Sequence, residues 1–145
     1  MKLKNQTIVN AIQGIKILSE KELPYATTLK ISKNINILEK LLKDYNEEYN
    51  KLANEFLVKE EGKFIESPTT PGAFLVKEGK TKEYSEKLSI LNNFENDVNI
   101  YKIKSNELAD LKISAKTLLE IQFMIEEEQE EDEWHLHYLF YCLQF

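Results

Sequence analysis

Three residues near the C-terminus have types and spacing that suggest metal chemistry: His135, His137 and Cys142. Imidazole and thiolate groups are common ligands of zinc and related metals. In a strand, the two histidines would point to one face and Cys142, an odd number of residues away, to the other. The chain has no second cysteine that could complete the set. The sequence therefore predicts neither a metal site nor a cofactor.

Catalytic motifs are absent from the sequence as well. The four glycines do not have the spacing of a phosphate-binding loop. The sequence contains neither a Gly-x-Ser-x-Gly elbow nor a His-Glu-x-x-His helix. Because the two histidines lie together, Cys142 has no remote base in sequence that would activate it as a nucleophile. We therefore predict no catalytic residues and no enzymatic activity.

The last twelve residues are instead crowded with aromatic and aliphatic side chains, directly after an acidic block at 126–133. Large apolar clusters are either covered by the same chain or used as interaction sites, and both alternatives are open for this tail. The acidic block is either a solvated helix end or a disordered linker, or else a decoy for a nucleic-acid groove or a docking site for a basic partner. If the region is an interface, its aromatic anchors and steering charges are Trp134, Tyr138, Phe140, Tyr141, Glu130, Glu131 and Asp132.

Composition restricts the classes of partner that are expected for this 145-residue chain. Its 19 basic residues are all lysine, and its formal net charge is −6. Arginine is the preferred residue for bidentate phosphate and guanine recognition, so its absence argues against nucleic acid as a partner. No apolar run is long enough to predict a membrane span. A lone cysteine and an N-terminus unlike a signal peptide are typical of the reducing cytoplasm.

A stripe of apolar residues with alternating spacings of four and three indicates one long helix. This 3.5-residue period is that of a coiled-coil-type seam, which needs an apolar partner in the same chain or in another molecule. The predicted seam consists of Ile31, Ile35, Leu38, Leu42, Tyr45, Tyr49, Leu52 and Phe56. An earlier helix, with Ile8, Ile12, Ile15 and Leu18 on one face, ends before Pro24. The two helices predict an antiparallel hairpin, and Gly14 marks close packing against another helix.

The rest of the chain mixes short strands with helices. We expect a helix from about Thr81 to Phe94, with Tyr84, Leu88, Leu91 and Phe94 on one face. A strand is expected at 98–103. A last helix capped by Ser114 is expected to have Leu118, Ile121 and Ile125 on its core face. The predicted fold class is therefore helix-dominated α+β in one domain, 1–145. Its parts are a helical hairpin at 1–57, a β-hairpin or loop insertion at 58–80, helix–strand–helix at 81–125, and the acidic block with the aromatic tail at 126–145.

The middle segment contains a near repeat. Residues 56–63, with the sequence FLVKEEGK, return as FLVKEGK at 74–80, and a Pro- and Gly-containing loop lies between them. A local duplication explains the repeat, with coincidence in a Lys- and Glu-rich chain as the alternative. Both copies end in Gly-Lys, so each is expected to form one strand and its turn.

The opening residues 2–12, the turn at Lys21–Pro24 and the segments 33–39, 44–48, 97–100 and 123–125 resemble a family of small uncharacterised phage proteins. That family occurs in tailed phages and prophages of low-GC Gram-positive bacteria. The resemblance covers about residues 1–60 and 81–126 and omits the repeated middle and the tail. It implies a phage origin and a setting in the host bacterial cytoplasm. It carries no activity and no functional residues.

Two functions fit these observations. The first is a phage accessory protein that binds and inhibits a host protein, for example one of antiphage defence. The second is an assembly or structural factor of the phage particle that forms a homo-oligomer through its long helix. We favour the first, because a small chain without catalytic motifs, with an acidic block and an apolar tail, suits a protein that acts by binding.

Overall fold

The computed structural model describes residues 1–126, and it confirms the helix-dominated α+β fold. The elements in chain order are β1 (Lys2–Lys4), α1 (Asn5–Ser19), α2 (Tyr25–Phe56), β2 (Lys59–Glu60), β3 (Lys63–Phe64), α3 (Thr81–Asn93), β4 (Glu95–Asp97), β5 (Ile103–Lys104), α4 (Ala115–Ile121) and β6 (Ile125–Glu126). Single 3₁₀ turns follow β5 and α4, at Ser105–Leu108 and Gln122–Met124.

Helices α1 and α2 form the predicted hairpin, with Pro24 as the residue before α2. Proline suits this position because it has no N–H to leave unpaired at a helix start. Helix α2 has 32 residues, which makes it about 48 Å long at 1.5 Å per residue. Along its first half, Ile31 and Leu38 are fully buried in one core with Ile8 and Ile15 of α1. The predicted apolar face of α1 therefore packs inside the chain.

Gly14 lies where α1 crosses α4, as its position in the sequence predicted. A Cβ at this residue would lie 2.9 Å from Glu120 Oε2 and 3.1 Å from Ile121 Cγ2. The first distance is shorter than real Cβ contacts and the second is tighter than most of them, so the glycine allows the two helices to approach closely. Ser114 caps α4 by accepting a hydrogen bond from the Thr117 amide, 3.1 Å long.

We expect Gly14→Leu to lower the free energy of unfolding by about 1–3 kcal/mol, because the larger side chain is forced into a filled helix crossing. Gln13→Leu is the matched control, since Gln13 is exposed on the same helix. Urea denaturation followed by circular dichroism measures both variants. An equal effect of the two substitutions would contradict close packing at Gly14.

The two copies of the repeat pair with each other. Leu57 and Val76 form an antiparallel bridge, and the Val58 amide donates to the Leu75 carbonyl at 2.9 Å. The Leu75 amide donates in turn to Ile65, so the second copy lies between the first copy and the segment after β3. Gly62 and Gly79 belong to the Gly-Lys pairs that end the two copies. Both glycines have positive φ, as turn glycines do. Of the two copies, the first contains a regular strand, β2, which forms a hairpin with β3.

The strand predicted at 98–103 is replaced by an extended segment between two short strands. Strand β4, just before it, pairs antiparallel with β1, and β5, at its end, pairs parallel with β6. Between them, the Tyr101 amide donates to Asn34 Oδ1 at 2.8 Å, and Asn34 Nδ2 donates to the Tyr101 carbonyl at 2.9 Å. The buried side chain of Asn34 thus takes the place of a neighbouring strand, which the β-propensity of this segment alone does not reveal.

The last helix differs from the prediction at two of its three core-face residues. Leu118 is 47% exposed, and Thr117 is buried together with the predicted Ile121. Ile125 lies outside the helix, in β6, because α4 ends at Ile121. None of the helices within residues 1–126 is both long and apolar enough to cross a membrane.

Candidate protein-binding groove

The partner-binding residues predicted from the sequence lie outside the described residues 1–126. This holds for the aromatic anchors and the charges listed above, from Glu130 to Tyr141, and for the residues considered as metal ligands, His135, His137 and Cys142. The binding role of the first set stays a prediction, and so does the absence of a metal site at the second. Among residues 1–126, no three His, Cys, Asp or Glu side chains come together as a metal site would require.

The predicted seam of α2 packs against elements of the same chain. Four of its residues are buried, namely Ile31, Leu38, Leu52 and Phe56. The other four are half-buried, namely Ile35, Leu42, Tyr45 and Tyr49. Helix α1 covers the first half of the seam, and α3 contacts the second half. Residues 1–126 thus supply apolar neighbours for this stripe without a second molecule.

Helices α2 and α3 run antiparallel, and a groove opens between them. Their direction follows from two contacts: Tyr45 Oη donates to Asn92 Oδ1 at 3.0 Å, and the rings of Phe56 and Tyr84 lie 5.9 Å apart. The groove has a volume of about 380 Å³. This is within the range of about 300–1,000 Å³ found for small-molecule sites, and the groove opens onto the surface.

The two walls of this α2–α3 groove differ in chemistry. The α3 wall contains Ile90 and Phe94, whose side chains are 72% and 61% exposed. The α2 wall contains the carboxylates of Asp44 and Glu48, which are also exposed. Of the nine residues that line the groove, two are acidic and none is a lysine. Adjacent exposed apolar side chains beside charges are typical of protein interaction sites.

Two asparagines fix the end of the groove. Asn5 Nδ2 donates to the Leu91 carbonyl at 2.8 Å, and Asn96 Nδ2 donates to Asn5 Oδ1 at the same distance. The Asn5 amide also donates to the Phe94 carbonyl at 3.0 Å. Asn5 is buried, and its three bonds tie the start of α1 to the end of α3 and to β4. The apolar wall is therefore held in place before any partner arrives.

Replacing Asn5 by alanine is expected to lower the free energy of unfolding by about 1–3 kcal/mol, because the Leu91 carbonyl and the Asn96 amide lose their buried partner. Asn10→Ala is the control, since Asn10 is exposed on the same helix. Thermal unfolding of both variants, followed by circular dichroism, tests this expectation. A smaller loss for Asn5→Ala than for Asn10→Ala would contradict the role given to Asn5.

The tyrosines in and behind the groove, Tyr45 and Tyr84, are uncharged at neutral pH because their pKa values are raised. Burial raises the pKa of Tyr84 to about 12, with a hydrogen bond to Tyr49 as the second cause. Burial also raises the pKa of Tyr45, which lines the groove, and the neighbouring Tyr49 adds to the effect. The negative charge of the groove at neutral pH therefore comes from Asp44 and Glu48.

A second depression, of about 420 Å³, is lined by Met1 and the extended segment 98–102. Its one charged side chain, Lys102, donates to the Phe123 carbonyl, and the Tyr101 backbone is bonded to Asn34. The Met1 ammonium, which also lines this depression, donates to the Val98 carbonyl at 2.9 Å, so both of its cationic groups are bonded within the chain. We therefore take the α2–α3 groove as the candidate site.

Sequence reasoning missed this groove because it placed Phe94 on the buried face of the third helix. In the structure Phe94 follows the last residue of α3 and faces outward beside Ile90. One signal was present in the sequence: Ile90 lies off the apolar face of Tyr84, Leu88 and Leu91 and four residues before Phe94. A large apolar residue such as Ile90 that lies off the core face of a helix is a sequence signal of an exposed apolar surface.

Comparison of the chain with protein-family models, with curated proteins and with solved structures finds no match in any of the three.

Proposed function

We propose that the protein acts by binding another protein, without catalysing a reaction, and that the α2–α3 groove is its docking surface. The observation that carries this proposal is the pair of exposed apolar side chains, Ile90 and Phe94, on a wall fixed by Asn5. Apolar anchors that are fully desolvated on binding supply most of the energy at protein interfaces. A wall that is already in position reduces the entropy lost when the complex forms.

In its finer form, the proposal is that a phage-encoded accessory protein binds and inhibits a host protein of antiphage defence in the bacterial cytoplasm. The sequence resemblance to phage proteins supports this form. Self-association through the long helix, as a particle assembly factor would use, is the alternative. The packing of the seam against α1 and α3 favours a different protein as the partner over a second copy bound at the seam.

Co-purification of the tagged protein from phage-infected cells of a low-GC Gram-positive host tests the proposal. We expect mass spectrometry to identify one host protein recovered in near-equal amount to the tagged chain. Ile90→Ser should abolish this recovery, whereas Leu119→Ser should preserve it. The control is closely matched, because Ile90 is 72% and Leu119 71% exposed.

Other results would contradict the proposal. Recovery of virion proteins would favour the assembly function. Recovery of the tagged chain alone would argue against a separate partner. Equal recovery of the host protein by wild type and Ile90→Ser would exclude the α2–α3 groove as the docking surface.

A further inference from the structure

We infer that the occupant of the α2–α3 groove is an amphipathic helix of the partner that presents basic side chains beside an apolar row. This inference rests on the proposed function and adds the chemistry of the partner to it. Its basis is the arrangement of the two walls: one has two acidic side chains and the other two apolar side chains, and each pair is four residues apart in sequence.

Each wall carries two side chains of one kind, four residues apart in sequence. Asp44 and Glu48 lie on α2, whereas Ile90 lies on α3 and Phe94 directly follows that helix. Four residues of α-helix rise about 6 Å. A partner helix has the same repeat, so its residues at i and i+4 can meet both members of one wall at once. A partner helix with leucine-like residues on one stripe and basic residues beside it matches both walls.

The carboxylates of the α2 wall are available to such a partner. Within residues 1–126, Asp44 makes no ion pair, and Glu48 pairs with Lys51 at 2.6 Å on the exposed surface. An exposed pair of this kind contributes little to stability, so a partner cation can replace Lys51 at small cost. An apolar partner segment without basic residues would cover both carboxylates without compensating them, which is costly.

The same charges argue against nucleic acid, which would bring phosphates against two carboxylates. For a second copy of this chain, net charge decides nothing, because the seven acidic residues at 126–133 account for the net charge of −6 and the other residues sum to about +1. That occupant is tested by sedimentation. A basic helix is the occupant that satisfies both the acidic wall and the apolar wall.

Two synthetic peptides test this inference with the full-length chain. Each is about 15 residues long, near the length at which isolated helices begin to form in water. Both have a leucine stripe, and the flanking positions are arginine in one peptide and glutamate in the other. Fluorescence anisotropy of labelled peptides gives the dissociation constants. We expect the arginine peptide to bind at least about tenfold more tightly than the glutamate peptide, as one favourable interfacial charge pair can provide.

Charge reversal in the groove separates local recognition from general attraction to an acidic protein. Asp44→Lys should remove the preference for the arginine peptide. Glu47→Lys should retain it, because Glu47 is exposed on the same helix and changes the net charge equally, but does not line the groove. Ile90→Ser should weaken binding of the arginine peptide, and Leu119→Ser should not.

The inference is overturned if wild type binds both peptides equally, or if Asp44→Lys and Glu47→Lys reduce the preference to the same extent. It is also overturned if the protein sediments as a dimer that Ile90→Ser dissociates, because the occupant is then a second copy. If neither peptide binds but capture of a host protein still depends on Ile90, the inference fails while the proposed function stands. If host-protein capture does not depend on Ile90 either, both fail.

Discussion

Phe56→Ala is expected to lower the free energy of unfolding by about 3–5 kcal/mol, the usual cost of deleting a buried aromatic ring. Phe56 is the last residue of α2, and its side chain is 1% exposed. Its ring packs on Tyr84 of α3, and Lys87 Nζ lies 4.9 Å from the ring centroid. Its carbonyl accepts a hydrogen bond from Lys77, so α2, α3 and the repeated segment meet at this residue.

The control for Phe56 is Phe94→Ala, because Phe94 is 61% exposed. Substitution at such a surface position usually changes stability by less than about 0.5 kcal/mol. Urea denaturation of both variants measures the difference. A similar loss in the two variants would contradict the packing described for Phe56. Phe94 also lines the groove. A loss of partner binding in Phe94→Ala without a loss of stability is therefore an effect on binding and not on folding.

Asn34→Ala is expected to lower the free energy of unfolding by about 2–3 kcal/mol, because it removes both hydrogen-bond partners of the Tyr101 backbone. Asn34 is completely buried, and its amide group makes both bonds within 2.9 Å. The same amide lies 3.9 Å from Met124 Sδ, so the residue also contacts the segment after α4. Loss of Asn34 therefore loosens the link between α2 and the extended segment 98–102.

Asn36→Ala provides the comparison for Asn34. Asn36 is exposed on the same helix, and alanine is a better helix former than asparagine. Its substitution is expected to leave stability unchanged or to raise it slightly. Hydrogen exchange of the Tyr101 amide gives a local readout, since this amide should exchange faster in Asn34→Ala alone. Unchanged exchange in that variant would contradict the pairing.

The helices were predictable because their signals are local. The apolar faces, Pro24 before α2 and Ser114 before α4 each specify a helix or its start within a few residues. Gly14 likewise predicted a close helix crossing. The length of α2 followed from the uninterrupted spacing of its seam, which is not found in the other elements within residues 1–126.

The strands and the groove depend on contacts distant in sequence. Segment 98–103 has the composition of a strand, but its neighbour is the side chain of Asn34, more than sixty residues earlier. Strand β1, at residues 2–4, pairs with β4, at residues 95–97. The strands within residues 1–126 have only two or three residues each. Such short pairs leave almost no periodic pattern. The groove requires the antiparallel arrangement of α2 and α3, which places Asp44 and Glu48 opposite Ile90 and Phe94 only after folding.

The most direct test of the central claim is photo-crosslinking in infected host cells, with a photoreactive amino acid in place of Ile90 and, separately, of Leu119. Both positions are exposed to nearly the same extent, on α3 and α4 respectively. We predict that the probe at position 90 crosslinks to one identified host protein and that the probe at position 119 does not. Equal crosslinking from both positions, crosslinks to copies of the same chain alone, or none from position 90 would contradict a protein-binding function of the α2–α3 groove.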